Sequence, residues 1–196
     1  NWLQAYQNDA VMLGRVLADD PGYVANIERN PEEAIPLPVR RISQELSINL
    51  IQLYTPDKKL LYSSIPVEGN ALWERGQTEA VLKVVRKQKT MLAAVGITPI
   101  PRHGKPRYYL VLGSLLGQDF TDELAQLTGL KARLYYRAGK KYFDLFSAPG
   151  EVIALKHLPA TALDRLEKHK KSYYSLQAEN GQYRGLYMPI VHPTGR

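Results

Sequence analysis

An aromatic residue and a cation stand two positions apart at Trp73 and Arg75. A guanidinium can form two parallel hydrogen bonds to a carboxylate, and an aromatic ring beside it adds an apolar contact surface. The pair is therefore suited to bind a small carboxylate or another anion. The ordinary alternatives are a Trp73 that packs in the core and an Arg75 on the surface, and the sequence leaves both open.

Further candidate residues lie in segments with strand-like sequences on either side of this pair. Ala94 and Gly96 are small and could leave room above a sheet, whereas Tyr62, Thr98 and Tyr109 could supply hydroxyl groups. We therefore predict one ligand site, which consists of Tyr62, Trp73, Arg75, Ala94, Gly96, Thr98 and Tyr109. A second, tyrosine-lined pocket further along the chain is the weaker alternative, because aromatic residues are common in strands for packing alone.

Patterns that indicate catalysis are missing from the sequence. The chain has no cysteine, which excludes disulfides, thiolate catalysis and cysteine-ligated zinc. Its four histidines form no HxxxH or HExxH pattern, Ser114 is not in a GxSxG turn, and Gly113 to Gly117 lacks the P-loop lysine. We expect a binding domain with no catalytic residues, no metal site and no cofactor.

The net charge of +7 raises the question of nucleic acid. The basic residues are scattered, and their small clusters are typical of polar helix faces and helix C-termini. We therefore expect no nucleic-acid partner. The apolar content of 44% and the charged content of 23% are those of a folded domain, and no apolar run reaches the roughly 18 residues that span a bilayer.

The elements that would position these residues begin with a helical region, residues 1–47. Leu3, Tyr6, Ala10, Leu13 and Leu17 recur at spacings of three and four, which predicts a helix over residues 1–18. Its near-heptad stripe could also pair with a second copy of the chain. Shorter helices are predicted at Tyr23 to Arg29 and Val39 to Leu46.

A first α/β module is predicted over residues 48–118. It consists of a strand at Ile48 to Tyr54, a turn, a strand at Leu60 to Ser63, a helix at Ala71 to Gln88, and two long strands at Thr90 to Ile100 and Arg107 to Leu116.

A second module, residues 119–196, repeats much of this order. A helix is predicted at Asp119 to Leu127, with Asp119 as N-cap and Gly129 as its end, and strands are predicted at Leu130 to Tyr136 and Tyr142 to Ser147. A helix at Thr161 to Lys170 and strands at Ser172 to Gln177 and Tyr183 to Val191 follow. No counterpart of the strand Arg107 to Leu116 remains at the end, so this module is expected to lack its last strand.

Three stretches resemble the double Cache family of extracytoplasmic sensor domains: LIQLYTPDKKLLYSS from Leu50, LTGLKARLY from Leu127, and YRGLYMPI from Tyr183. The resemblance covers nearly the whole chain. It implies an α+β fold in which a long N-terminal helix precedes two PAS-like modules, each a central antiparallel sheet with flanking helices. Arg107-Tyr108-Tyr109 resembles part of the cluster of the amino-acid-binding members, without the rest in register.

The resemblance implies the extracytoplasmic, ligand-sensing domain of a membrane receptor: a sensor histidine kinase, or else a chemoreceptor or diguanylate cyclase. Such domains lie between two transmembrane helices. The fragment would thus be periplasmic, tethered to the membrane, and not itself an enzyme. Its partners would be an unknown small molecule in the first module and a second copy of the chain through the N-terminal helix. The alternative is a cytoplasmic PAS- or GAF-type regulatory or nucleic-acid-binding domain.

Overall fold

A computed structural model describes residues 2–30, 48–67, 73, 76–86, 89–102, 104–130, 132–138, 141–145, 152–153, 160–169, 173–175 and 185–187. The chain forms two compact units, residues 1–132 and 133–196. The predicted division into residues 1–47, 48–118 and 119–196 concerns folding modules and stays a prediction. No helix in the described ranges is both long enough and apolar enough to span a membrane.

The first unit is built on a five-stranded antiparallel sheet in the order β2-β1-β5-β4-β3. Its strands are β1 (Leu50–Tyr54), β2 (Leu60–Ser63), β3 (Glu79–Arg86), β4 (Lys89–Arg102) and β5 (Lys105–Leu116). All five residues of β1 are buried because it lies inside the sheet, between β2 and β5. The hairpins β1-β2 and β4-β5 reverse direction at the same end of the sheet, and β4 and β5 extend to Arg102 and Lys105, beyond the strands predicted at Thr90 to Ile100 and Arg107 to Leu116.

Two helices precede the sheet, α1 (Trp2–Ala18) and α2 (Pro21–Arg29). The helix predicted over residues 1–18 is confirmed, and its apolar stripe faces the sheet, with Ala10, Leu13 and Leu17 buried. Between the helices, the Asp20 side chain accepts hydrogen bonds from the backbone N–H groups of Gly22 (2.8 Å) and Tyr23 (3.2 Å). Asp20 is thus the N-cap of α2, and proline follows at the first helical position, where it is favoured.

The helix predicted at Ala71 to Gln88 is wrong over residues 79–86, which form β3 and pair with β4 over eight consecutive residues. Apolar residues at 80, 81, 84 and 85 suit one side of a helix and equally a strand that is buried on both faces. Three of the eight β3 residues are valine, whose branched side chain is favoured in strands. The helix prediction is wrong because the spacing of the apolar residues fits both structures, whereas the valine content favours the strand.

The two faces of the sheet carry separate cores. On the helix-covered face, α1 and α2 pack against Ile51, Leu53, Ile100, Leu110 and Leu112. On the opposite face, which we call the aromatic face, Tyr54 and Trp73 pack with Leu50, Ala80, Leu82, Val84, Ala93, Val95, Ile97 and Val111. Residues next to each other in a strand therefore belong to different cores, as the alternation of strand side chains requires.

Helix α3 (Gln118–Thr128) follows β5 directly and completes the first unit. The predicted N-cap, Asp119, lies in the first turn of α3, and Gly117 occupies the cap position without a side-chain hydrogen bond. The predicted end at Gly129 is confirmed: its φ of 68° is left-handed, a conformation that glycine adopts without strain.

The second unit contains β6 (Tyr135–Ala138), β7 (Lys141–Asp144) and β8 (Val152–Ile153), which form an antiparallel meander in that order. Helix α4 (Ala160–Glu167) follows, and then an antiparallel pair, β9 (Tyr173–Ser175) and β10 (Gly185–Tyr187). The strand predicted at Leu130 to Tyr136 begins only at Tyr135. The fold is thus α+β with an N-terminal helix and one five-stranded antiparallel sheet in its described part, and the arrangement as two PAS-like modules stays a prediction.

Candidate functional site

Three aromatic rings meet on the aromatic face of the first unit. The ring centroids of Tyr54 and Trp73 lie 4.9 Å apart, and those of Trp73 and Tyr109 lie 5.8 Å apart, both edge to face. Tyr54 and Tyr109 are cross-strand partners in β1 and β5, so the sheet fixes their spacing. Trp73 comes from the segment after β2 and is only 3% exposed. The structure thus joins two of the predicted site residues, Trp73 and Tyr109.

The cation beside this aromatic group is Lys58, which the sequence did not suggest. Lys58 Nζ donates a hydrogen bond to the Trp73 carbonyl oxygen and lies 5.4 Å from the centroid of the Trp73 ring. An ammonium at this distance from an indole ring gains a cation–π attraction. The predicted cation, Arg75, lies outside the described residues.

Lys58 is held in place by the hairpin turn between β1 and β2. Its backbone N–H donates to the Thr55 carbonyl (2.9 Å), and the Lys59 N–H donates to Thr55 Oγ1 (3.0 Å). A hydrogen bond with Thr55 also holds the pKa of the exposed Asp57 carboxyl below its usual value. Asp57 is therefore a fixed negative charge beside Lys58 and Lys59 near neutral pH.

A buried polar chain supports the aromatic group from within the sheet. Tyr54 Oη donates to Gln52 Oε1 (3.0 Å), and Gln52 Nε2 donates to Ser63 Oγ on β2 (3.2 Å). Tyr54 and Gln52 are both almost fully buried, so each polar group needs its partner. These two hydrogen bonds fix the ring of Tyr54 against rotation and translation relative to β2.

Three predicted site residues, Ala94, Gly96 and Thr98, lie on the other face of the sheet, under α1. A side chain at Gly96 would meet the Val11 nitrogen at 2.5 Å and the Ala10 carbonyl carbon at 2.7 Å. A side chain at Gly14 of α1 would in turn collide with Thr98 Oγ1. The room that we expected above Ala94 and Gly96 is therefore filled by the helix backbone, and these small residues serve close packing.

Tyr62, the last of the predicted residues, also lies on the helix-covered face, where it packs against the core that contains Tyr23. Burial raises the pKa of Tyr23 well above its usual value, and the neighbouring Tyr62 adds to the shift. Among the described residues, the buried Tyr23 hydroxyl has no hydrogen-bond partner. The predicted set is thus divided between two faces, so the described part of it cannot line one pocket.

Arg107 is engaged in contacts within the chain. Its Nη1 lies 3.1 Å from Glu28 Oε1 of α2, its Nε donates to Tyr108 Oη (3.2 Å), and its guanidinium carbon lies 5.5 Å from the centroid of the Tyr108 ring. These contacts tie the start of β5 to the end of α2. They give Arg107 a structural role that explains its place beside two tyrosines.

Groups suited to metal binding are absent from the part of the chain that the structure describes, where no three histidine, aspartate or glutamate side chains lie close enough to hold an ion. Among the described residues of the second unit, Asp144 is a buried carboxylate, and its Oδ2 lies 3.2 Å from Nη1 of Arg133. The aromatic group with Lys58 is therefore the best candidate for a binding site among the described residues. Comparison of the chain with protein-family models, with curated proteins and with solved structures gave no match.

Proposed function

We propose that this chain is the extracytoplasmic ligand-sensing domain of a transmembrane signal-transduction receptor, with a sensor histidine kinase as the expected parent and a chemoreceptor or diguanylate cyclase as alternatives. In this proposal the chain is periplasmic, has two PAS-like modules and is not itself an enzyme. The first unit supports one such module, because a central antiparallel sheet with flanking helices is the layout that the resemblance implies.

The observation that carries the proposal is the position of β4 between the aromatic face and α1. Ala93, Val95 and Ile97 of β4 belong to the same core as Trp73. Gly96, between them, meets the backbone of α1 without an intervening side chain. A shift of the strand caused by a ligand on the aromatic face would therefore be passed to α1, provided that the ligand binds the two conformations unequally.

A second contact links α1 to the segment that leaves the sheet. Tyr6 Oη of α1 donates to Glu123 Oε2 of α3 (2.8 Å), and the rings of Tyr6 and Phe120 lie 6.0 Å apart, edge to face. Gln7 of α1 also donates to the Ala80 carbonyl of β3 (2.9 Å). Helix α1 is thus hydrogen-bonded to the start of β3 and to α3, which follows β5. A helix that carries a signal would need such contacts.

A thermal-shift screen of small carboxylates, amines and amino acids tests ligand binding directly. We expect one class to raise the melting temperature in a saturable way, because a ligand that binds only the folded state stabilises it by mass action. Sodium chloride at equal ionic strength controls for charge screening. Lys58, Lys59 and Lys105 lie at this end of the sheet and outnumber the carboxylate of Asp57, so the charge there favours an anion.

The chain offers a matched pair of variants for this screen. Tyr109→Ala removes a half-buried tyrosine from the aromatic face, and Tyr62→Ala removes a half-buried tyrosine from the helix-covered face. The ligand-induced shift should disappear with the first and persist with the second. Equal loss in both variants would contradict a site on the aromatic face, and a gene that encodes no transmembrane segment on either side of this chain would exclude the receptor.

Pairing of two copies through α1 also remains part of the proposal. Ala10, Leu13 and Leu17 of the stripe are covered by the sheet of their own chain, so the paired surface would have to be the outer side of α1. Met12 and Val16 lie one turn apart there and are 56% and 61% exposed. Sedimentation of the Met12→Glu variant beside the unchanged chain tests this, since equal masses at every concentration would argue against it.

A further inference from the structure

Lys58 has an unusual backbone conformation for its residue type. Its φ of 65° is left-handed, and it is the one residue other than glycine with a positive φ among those described. Glycine and asparagine adopt this conformation more readily: Cβ crowds the following carbonyl oxygen, glycine has no Cβ, and the short polar side chain of asparagine can hydrogen-bond to the nearby backbone. A strained residue of this kind persists only where surrounding contacts hold it, and such residues gather at sites of function.

The side chain of Lys58 makes the contacts that could hold it there. Its ammonium lies over the indole ring of Trp73 and donates a hydrogen bond to the carbonyl oxygen of the same residue. The turn and the Trp73 segment are 15 residues apart in sequence. The Lys58 side chain thus connects the β1-β2 hairpin to Trp73 on the aromatic face.

We propose that Lys58 is a positioning residue that holds Trp73 between Tyr54 and Tyr109, and that release of this contact opens the aromatic face to a ligand. In the described conformation Trp73 occupies the space between the two tyrosines, and both Trp73 and Tyr54 are almost fully buried. A ligand can contact their ring faces only after Trp73 moves. The role in ligand entry rests on the proposed function, whereas the contact itself does not.

The chemistry of the contact also indicates what would release it. In the described conformation, the Lys58 ammonium contacts the neutral carbonyl group and the ring of Trp73. Both are weaker partners for a cation than an anion is. A small carboxylate that reaches the turn would form a charge-assisted hydrogen bond with Lys58 and compete with Trp73 for it. The sensing step would then be an exchange of partners at Lys58.

The experiment follows the hydrogen exchange of the Trp73 indole N–H by NMR, in the protein without ligand. Trp2→Phe serves as the background, because it leaves Trp73 as the sole tryptophan. We expect Lys58→Met to speed this exchange about tenfold, since a hydrogen bond with a charged donor stabilises more than a neutral one. Lys58→Arg keeps the cation and should stay close to the unchanged protein.

Two further variants separate positioning from general stability. Lys59→Met removes the same charge from the same turn, but the side chain of Lys59 is exposed, so Trp73 exchange should not change. Lys58→Gly relieves the left-handed strain, so its melting temperature should exceed that of Lys58→Met while Trp73 exchanges equally fast. If Lys58→Met and Lys59→Met give the same Trp73 exchange rate, the proposal is overturned, whether or not the chain proves to be a sensor.

Discussion

The two faces of the five-stranded sheet are both closed, but by different means. On the helix-covered face, the backbone of α1 rests on Gly96, and Thr98 fits against Gly14. On the aromatic face, Trp73 lies against Tyr54 and Tyr109, and Lys58 donates a hydrogen bond to its carbonyl oxygen. The first closure involves a whole helix, with a backbone contact at Gly96 and buried side chains of α1, whereas the second involves the side chains of Trp73 and Lys58.

This difference separates a structural face from an openable one. Moving α1 away would break its contacts with β4 and β5 together, because the helix is one rigid body. Moving Trp73 would break its two ring contacts, its cation–π contact and hydrogen bond with Lys58, and its packing against the buried residues of the aromatic face. Ligand-binding segments belong to the parts of a protein that open at low cost. The aromatic face is therefore the side on which a ligand should act.

The largest effect is expected where the helix touches the sheet. Gly96→Ala places a methyl group within 3 Å of three backbone atoms of Ala10 and Val11. Neither backbone can move without shifting the helix, so we expect the free energy of unfolding to fall by about 3 kcal/mol, the upper range for overpacking. Urea unfolding followed by circular dichroism measures this.

Gly117→Ser is the matched control for this substitution. A Cβ at Gly117 meets no atom within 4 Å, and serine is a better N-cap for α3 than glycine. Its stability should equal or slightly exceed that of the unchanged chain. If Gly96→Ala were tolerated as well as Gly117→Ser, α1 could adjust on the sheet, and the contrast between the faces would be lost.

A smaller effect should distinguish two buried tyrosines, one on each face. Tyr54→Phe on the aromatic face removes the donor to Gln52 and should cost about 1 kcal/mol, because a buried acceptor loses its partner. Tyr23→Phe on the helix-covered face removes a hydroxyl that has no partner among the described residues, so stability should stay equal or rise. Chemical unfolding of both variants under one set of conditions gives the comparison.

Equal losses in the two variants would mean that the Tyr23 hydroxyl is satisfied by a group outside the described residues. The buried polar chain would then not distinguish the aromatic face. A loss confined to Tyr54→Phe would show that the ring of Tyr54 is held by a buried hydrogen bond, whereas the hydroxyl of Tyr23 is not.

The fold was predictable where one local signal dominated. The stripe of α1, the turn at residues 55–59, the long strands β4 and β5 and the glycine after α3 all follow from spacing or from turn residues. The strand β3 was missed because its two apolar faces have no alternation to detect. Only its pairing with β4, a contact between distant segments, decides between helix and strand there.

The sequence indicated residue types that occur in the candidate site, but it did not indicate how these residues are arranged on the two faces of the sheet. Trp73 and Tyr109 do meet, but small size at Ala94 and Gly96 was equally compatible with an open pocket and with a helix backbone pressed against the strand. Which face a strand residue occupies depends on register, and a shift of one residue reverses it. Lys58 was missed because a lysine in a left-handed turn position has no local sequence signal.

The smallest effect concerns the edge of the helix-covered face, where Tyr6 of α1 meets α3. Burial, and then the hydrogen bond to Glu123, raise the pKa of Tyr6 from 10.0 to about 12. The folded state thus favours the neutral hydroxyl. The contribution of Tyr6 to stability is complete below pH 10.0 and is lost as the pH rises through about 12.

The unfolding free energy of the unchanged chain, measured relative to Tyr6→Phe, should therefore be constant from neutral pH to about pH 10 and then decline. The side chain is half-exposed, and solvent screens its charge, so the decline should be shallow. Glu123→Gln removes the carboxylate while keeping an acceptor, and should weaken the decline. A difference that stays level through alkaline pH would show that the Tyr6–Glu123 hydrogen bond does not join α1 to α3 in solution, and that α1 is held by its contacts with the sheet.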